Sequence, residues 1–326
     1  MGFVFSKSFV PENDLPSLDG KVILVTGGNA GIGLYTILHL ARRGATVYMG
    51  ARNESKATGA IAQLESPSLQ IGTGRVIYHH LDLSDPRLAK KSAEAFKARE
   101  TRLDVLINNA ASMSDPYEIT KDGVQQIVVT NHISPFVLTN ELLPFMKKTA
   151  EESDSDVRIV NVSSHAHTFP ATKDIVFNSK EALNNRFGES VSERFKRYGF
   201  TKIMNILHID ELQRRLTAED VPIICISLHP GSVSTPGVIE GAKKVFPFPT
   251  LVERFISLFF MTPAAGGVTP AFAAAAPIVR QNADKYKGAY LEPYGRFGAK
   301  RKEVQSESLG KELWNTTENI VAEMDI

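Results

Sequence analysis

Cysteine is nearly absent from this chain of 326 residues: Cys225 is its one example, inside the apolar run VPIICISL. No disulfide can form within the chain, and no cysteine-based metal site can be assembled. A thiol in such a run is expected to be buried and inert. Excess charge is also missing. Lys and Arg number 37 against 36 Asp and Glu, a formal charge of +1. Nothing draws such a chain to phosphate backbones in general, so no nucleic-acid partner is expected. No apolar stretch approaches the roughly 18 residues that cross a bilayer, so no transmembrane span is expected. The first 20 residues lack the hydrophobic block of a secretion signal. The expectation is a cytoplasmic protein, with contact at the membrane periphery left open by the short apolar run FISLFFM at 255–261.

What is present is a large apolar supply, 43% of residues, with 22% charged. That suits a globular protein with a sizeable core. Short apolar runs at 21–26, 45–50, 75–81, 103–107, 156–162 and 221–228, and a weaker one at 289–292, read as strands. Helical patterns lie between them at 32–43, 54–64, 86–100, 121–148, 202–216 and 264–275. Strands alternating with helices predict an α/β fold: a doubly wound, mostly parallel seven-stranded sheet of the Rossmann type, with helices on both faces. The strands are continuously apolar, as expected where both sheet faces are covered. No composition break marks a second domain. We expect an N-terminal arm at 1–17, one domain at 18–300, and a charged, peripheral extension at 301–326 with a helix near Leu309–Met324.

After the first strand comes Thr26-Gly27-Gly28-Asn29-Ala30-Gly31-Ile32-Gly33. Glycines in a strand-to-helix turn let the backbone approach a pyrophosphate, and the following helix points free N–H groups at it. No Gly-Lys-Ser/Thr follows, so this is not a P-loop. At the end of the second strand an acidic residue would bind the adenosine ribose. Gly50-Ala51-Arg52-Asn53 stands there instead. Arg52 can pair with a 2′-phosphate, and Asn53 can add a contact, so NADP(H) is favoured. NAD(H) is the alternative if Arg52 points away. Asp82, followed by Leu83, is placed either to accept from the adenine amine or to cap the helix starting at Pro86.

Together these phrases resemble the short-chain dehydrogenase/reductase family. TGGNAGIG (26–33) is similar to its cofactor motif, NNAA (108–111) to its NNAG motif, and HPGSVST (229–235) to its PG motif. TNHISPF and IVNVSSHAH look most like the retinol dehydrogenase-like and WW-domain oxidoreductase-like branch, without a WW domain. The resemblance spans about 18–295. It implies cofactor contacts from Gly27, Asn29, Ala30, Gly31, Ile32, Gly33, Asn109, Ala110, Ala111, Pro230, Gly231, Val233 and Thr235. It implies an active site of Asn131, Ser164, Tyr198 and Lys202. Ser164 would hold the substrate oxygen, and Asn131 would anchor a water joining Lys202 to solvent. Tyr198 would be the acid/base, its pKa lowered by Lys202 together with the oxidised nicotinamide, and both would also touch the cofactor. Tyr198 and Lys202 are four residues apart, on one face of a helix. The decoy is Lys180, which has Val176 four residues upstream. The 34-residue gap from Ser164 to Tyr198 exceeds the family norm. Its surplus carries Leu183, Phe187, Val191 and Phe195 at four-residue spacing, which reads as an extra or extended helix. Two alternatives stay open here: a degenerate, non-catalytic dinucleotide-binding protein, and an NAD(H)-dependent sterol- or retinoid-like alcohol dehydrogenase.

His132, His165, His167 and His229 lack a compact ligand pattern, so no metal is expected. His165 and His167 flank the expected substrate mouth. Segments 111–117, 165–178 and 234–262 should line it, beyond the strand ends. The last is rich in apolar residues, among them Val245, Phe246, Phe248, Phe255 and Phe259. It reads as a lid over a small lipophilic carbonyl or alcohol, with Phe255 and Phe259 as contacts. The same surface leaves a homodimer open.

Overall fold

The computed structural model describes residues 9–326 except 70, 72–73, 114–115 and 246–247, and gives no side-chain account of 244, 245 and 249. The expected lid residues Val245 and Phe246 therefore lie outside the described side chains, as do positions 114–115 of the expected lining.

Eight strands form one sheet: β1 Val22–Thr26, β2 Thr46–Ala51, β3 Val76–His80, β4 Val105–Asn108, β5 Arg158–Val162, β6 Ile224–Leu228, β7 Tyr290–Glu292 and β8 Arg296–Phe297. Their order is β3-β2-β1-β4-β5-β6-β7-β8. Seven are parallel neighbours, and β8 alone pairs antiparallel, at the edge. The seven expected strands are all present, and β8 is the addition. It has two exposed residues, too few for an apolar pattern. β1, β5 and β6 are buried at every position, as two covered faces require.

Helices Gly31–Ala41 and Pro263–Ala275 pack together on one face, with Ile37, Leu40, Ala271 and Phe272 in the core. The other face is covered by helices that contribute Phe96, Leu138, Leu142, Leu212 and Trp314. The expected helix at 121–148 is a composite. Gln126–Val128 leads into a π turn at Val129–Ile133, and Ser134–Ala150 continues it. Insertions of this kind are frequent at functional sites, and this one holds Asn131.

Two sequence expectations need correction. The apolar spacing from Leu183 to Phe195 belongs partly to an extended helix, which starts at Val191, and is broken before it. A short helix ends at Leu183, and Phe187 and Gly188 both have positive φ. Ser190 and Glu193 then close a capping box, and one helix runs over Val191–Ala218. Arg197 donates to the carbonyls of Arg186 and Gly188 and holds that loop. Leu183 and Phe187 still reach the same apolar cluster, so periodicity alone could not tell a loop from a turn of helix.

The C-terminal extension is not peripheral. Helix Glu307–Glu323 lies on the Val191–Ala218 helix and buries Leu313, Trp314 and Ile320. The Arg215 guanidinium covers the Trp314 ring at 4.3 Å. Charged residues on the outer face hid the apolar stripe within it.

Candidate active site

The strand order reverses between β1 and β4, and the crevice lies beyond the C-terminal ends of the strands there. Gly27 and Gly31 adopt φ of 65° and 56°, a region that disfavours side chains. A Cβ on Gly27 would also sit 2.9 Å from Ala110 Cα. Thr26 ties this turn to the one after β4. Its hydroxyl accepts from the N–H groups of Asn109 and Ala110, at 3.0 and 2.9 Å. The Asn109 side chain donates to the carbonyls of Thr26 and Gly27. The glycine turn is thus clamped in place, with the N-terminus of the Gly31–Ala41 helix opening into the crevice.

The crevice is a cavity of about 1340 Å³, larger than one small-molecule site needs. Of the expected cofactor contacts, Gly27, Asn29, Ala30, Gly31, Ile32, Arg52, Asp82 and Leu83 line it, as do Asn109, Ala110 and Ala111. From the β6 side come Pro230, Gly231, Val233 and Thr235. Two expected contacts are not on its wall. Gly33 packs under the turn, where a Cβ would strike the Gly27 carbonyl. Asn53 instead caps helix Glu54–Leu64, accepting from the Lys56 N–H at 2.8 Å. Asp82 does not cap the helix at Pro86; Asp85 does. Arg52 is exposed on the wall. A backbone cradle, a helix N-terminus and one guanidinium at the end of β2 fit a phosphate-bearing dinucleotide.

Ser164, Tyr198 and Lys202 meet on the cavity wall. β5 ends at Val162, and the chain turns so that Ser163 and Ser164 part. Ser163 Oγ donates to the Lys202 carbonyl at 2.8 Å and pins the helix to the strand end. Ser164 hydrogen-bonds the Tyr198 side chain and accepts from the Ala166 N–H at 3.2 Å. Gly199 makes this approach possible, since a Cβ there would be driven into the Ala166 carbonyl oxygen. Lys202 is buried, with its ammonium 5.3 Å from the Tyr198 ring centre. It donates to the Val162 carbonyl at 2.9 Å and to Asn205 Oδ1 at 3.1 Å.

In the protein alone, burial pushes the Tyr198 hydroxyl up to about 12, and the Ser164 hydrogen bond opposes it. Burial brings the Lys202 ammonium down to about 7. Lys202 does not by itself bring Tyr198 into the neutral range.

Asn131 is held by its neighbours in the fold. Its side chain accepts from the Ser112 N–H and donates to the Ser112 carbonyl, both at 2.7 Å. The amide donates again to Thr201 at 3.0 Å. Its main-chain carbonyl accepts from the Asn205 side chain at 2.8 Å. Asn205, which sequence reasoning passed over, thus joins Lys202 to the Asn131 main chain. The signal was its position three residues after Lys202, on the same helix face.

On the substrate side His165 lines the cavity, while His167 does not. His167 is buried, with Nδ1 on the Ser164 carbonyl at 2.8 Å and its ring against Tyr290. His229 lines the cavity, and burial first, then the neighbouring His165 and His167, brings it down to about 4. It is neutral at pH 7. The segment expected to be a lid forms two helices, Pro236–Val245 and Pro249–Phe259. Phe255 lines the cavity, but Phe259 does not and is exposed. Cys225 is buried, and its thiol is pushed up. Among the described residues no group of three or more His, Cys, Asp and Glu could hold a metal ion. No helix among them is long and apolar enough to cross a membrane.

The profile of the family described as "short chain dehydrogenase" matches residues 21–207. A short-chain dehydrogenase/reductase of Armillaria gallica is 44% identical over 317 residues, covering 96% of this chain and 97% of that one. The short chain dehydrogenase/reductase dpfgH of Gibberella zeae is 37% identical, over 95% of this chain and 85% of its own. Among solved structures, an uncharacterised protein from Mycobacterium paratuberculosis superposes with a TM-score of 0.70 at 28% identity, covering 97% of this chain and 98% of that one. The chain belongs to the short-chain dehydrogenase family, oxidoreductases that act on CH–OH or C=O groups with a nicotinamide dinucleotide.

Proposed function

We propose that this protein is an NADP(H)-dependent oxidoreductase for lipophilic carbonyl and alcohol substrates, with Tyr198 as general acid and base. The observation that carries this reading is the Tyr198 hydroxyl on the cavity wall, bonded to Ser164 and one helical turn from the buried Lys202. The dinucleotide, when bound, supplies or accepts the hydride. Tyr198 gives its proton to a carbonyl oxygen in reduction and takes one from the alcohol in oxidation. Ser164 Oγ holds that oxygen and stabilises charge growing on it. Lys202 favours the phenolate that Tyr198 leaves behind. Arg52, exposed at the end of β2 with no carboxylate at positions 49–53, supports the phosphorylated cofactor. The apolar lid supports a greasy substrate: Leu251, Val252, Phe255, Ile256 and Phe260 all face the cavity. The phrases TNHISPF and IVNVSSHAH favour the retinol dehydrogenase-like branch within the family.

The test is NADPH and NADH consumption against a panel of hydrophobic aldehydes and ketones. NADPH should be preferred. Arg52→Ala should raise KM for NADPH by about tenfold or more and leave NADH nearly unchanged, as loss of a charge-assisted phosphate contact requires. Equal turnover with both cofactors in the wild type would remove the Arg52 argument.

A further inference from the structure

We infer that Asn205 is the positioning residue for Lys202, joining the lysine ammonium to the main-chain carbonyl of Asn131 through its side-chain amide. This rests on the reading of Tyr198 and Lys202 as the catalytic pair. Asn205, Lys202 and Asn131 are all buried. An ammonium can only donate and a carbonyl can only accept. The amide therefore has one orientation that satisfies both ends: Oδ1 toward Lys202 Nζ at 3.1 Å and Nδ2 toward the Asn131 carbonyl at 2.8 Å. The carbonyl it reaches lies in the π turn Val129–Ile133. One side chain thus ties the catalytic helix to that turn at the height of the lysine.

The consequence is chemical as well as mechanical. Lys202 forms no ion pair among the described residues, and burial is the cause of its lowered pKa. Its charge is held by two neutral acceptors, the Val162 carbonyl and Asn205 Oδ1. The third ammonium hydrogen remains for the cavity side. A water at the Asn205 position could turn and pass a proton. An amide fixed at both ends cannot, so the link sets the position and charge of Lys202 without conducting protons.

Two near-isosteric variants separate this role from packing. Asn205→Leu fills the space and removes the acceptor, so the ammonium form of Lys202 loses support. Asn205→Asp keeps an acceptor and adds charge, so the ammonium form gains support. A hydrogen bond to a charged group corresponds to a shift of about one pH unit or more. In the cofactor-free protein, the Lys202 titration followed by NMR of ¹³C-lysine should move down from about 7 in the leucine variant. It should move up in the aspartate variant. In NADPH-driven carbonyl reduction, the high-pH limb of kcat should move in the same two directions. The leucine variant should also lose about tenfold in kcat with little change in the carbonyl KM. An unmoved Lys202 titration in the variants that fold would overturn the inference, and so would equal shifts of one sign in both. Tyr198→Phe is run beside them. Wild-type turnover in that variant would sink the acid–base reading, while the lysine titration still decides the role of Asn205.

Discussion

The same burial moves Tyr198 up to about 12 and Lys202 down to about 7, and the pH behaviour of the reaction follows. In reduction, Lys202 assists while it carries its proton. Its pKa is lowered to about 7, so the protonated fraction is high below that pH and is lost as pH rises through it. The reductive rate should therefore fall above about pH 7, nearing tenfold per pH unit. Lys202→Arg, if it remains active, should flatten that limb, because a guanidinium keeps its charge. A limb unchanged by the arginine would assign it to another group. Gly199 sets a second residue-scale prediction. A methyl group there collides with the Ala166 carbonyl, and Pro170 Cδ lies 3.1 Å away. Gly199→Ala should part Tyr198 from Ser164, with a stability loss of about 1–3 kcal/mol. Turnover should fall more than NADPH affinity, and steady-state kinetics with thermal denaturation check both. Residue types and spacing made Ser164, Tyr198 and Lys202 legible. They did not make Asn205 or Ser163 legible, because their roles depend on main-chain carbonyls that the fold brings up from Asn131 and Lys202.

The elements that sequence patterning captured best were those with one simple environment. Strands covered on both faces are apolar throughout, so β1, β5 and β6 are plain in the sequence. The π turn at Asn131 and the broken segment before Tyr198 were not, since each keeps its apolar residues while changing its hydrogen bonding. The C-terminal helix was underrated because its exposed face is charged. It docks on His132 and His208: its Trp314 ring meets His208, and its Thr317 hydroxyl is 2.8 Å from His132 Nε2. Burial pushes His132 well below 6.5 and His208 to about 4. Both folded values are depressed, so the stability they contribute is present above 6.5 and is lost as pH falls toward the folded values. Thermal stability should decline between pH 6.5 and about 4, and His208→Phe should shallow that decline by roughly one proton's worth. An unaltered slope in that variant would contradict the assignment. Trp314→Ala should cost about 3–5 kcal/mol as a buried aromatic truncation.

At the scale of the whole molecule, one sheet reversal brings together segments far apart in the chain: the turn after β1, the NNAA turn, the β5 end and the catalytic helix. The family profile ends at residue 207, and both lid helices and the C-terminal helix lie beyond it. The Armillaria gallica and Gibberella zeae relatives align over more than nine-tenths of the chain, so this later part is shared with them. The exposed lid residues Phe248, Leu251, Phe255, Leu258 and Phe259 belong to that part.

The most direct test of the account is Tyr198→Phe, measured as NADPH binding by fluorescence titration beside NADPH-driven carbonyl turnover. The variant keeps the ring and loses one oxygen. NADPH affinity should stay within about threefold of wild type, while turnover falls by roughly 10²–10⁴, the range for loss of a general acid. Turnover close to wild type, with binding intact, would contradict the assignment of Tyr198 as the proton donor.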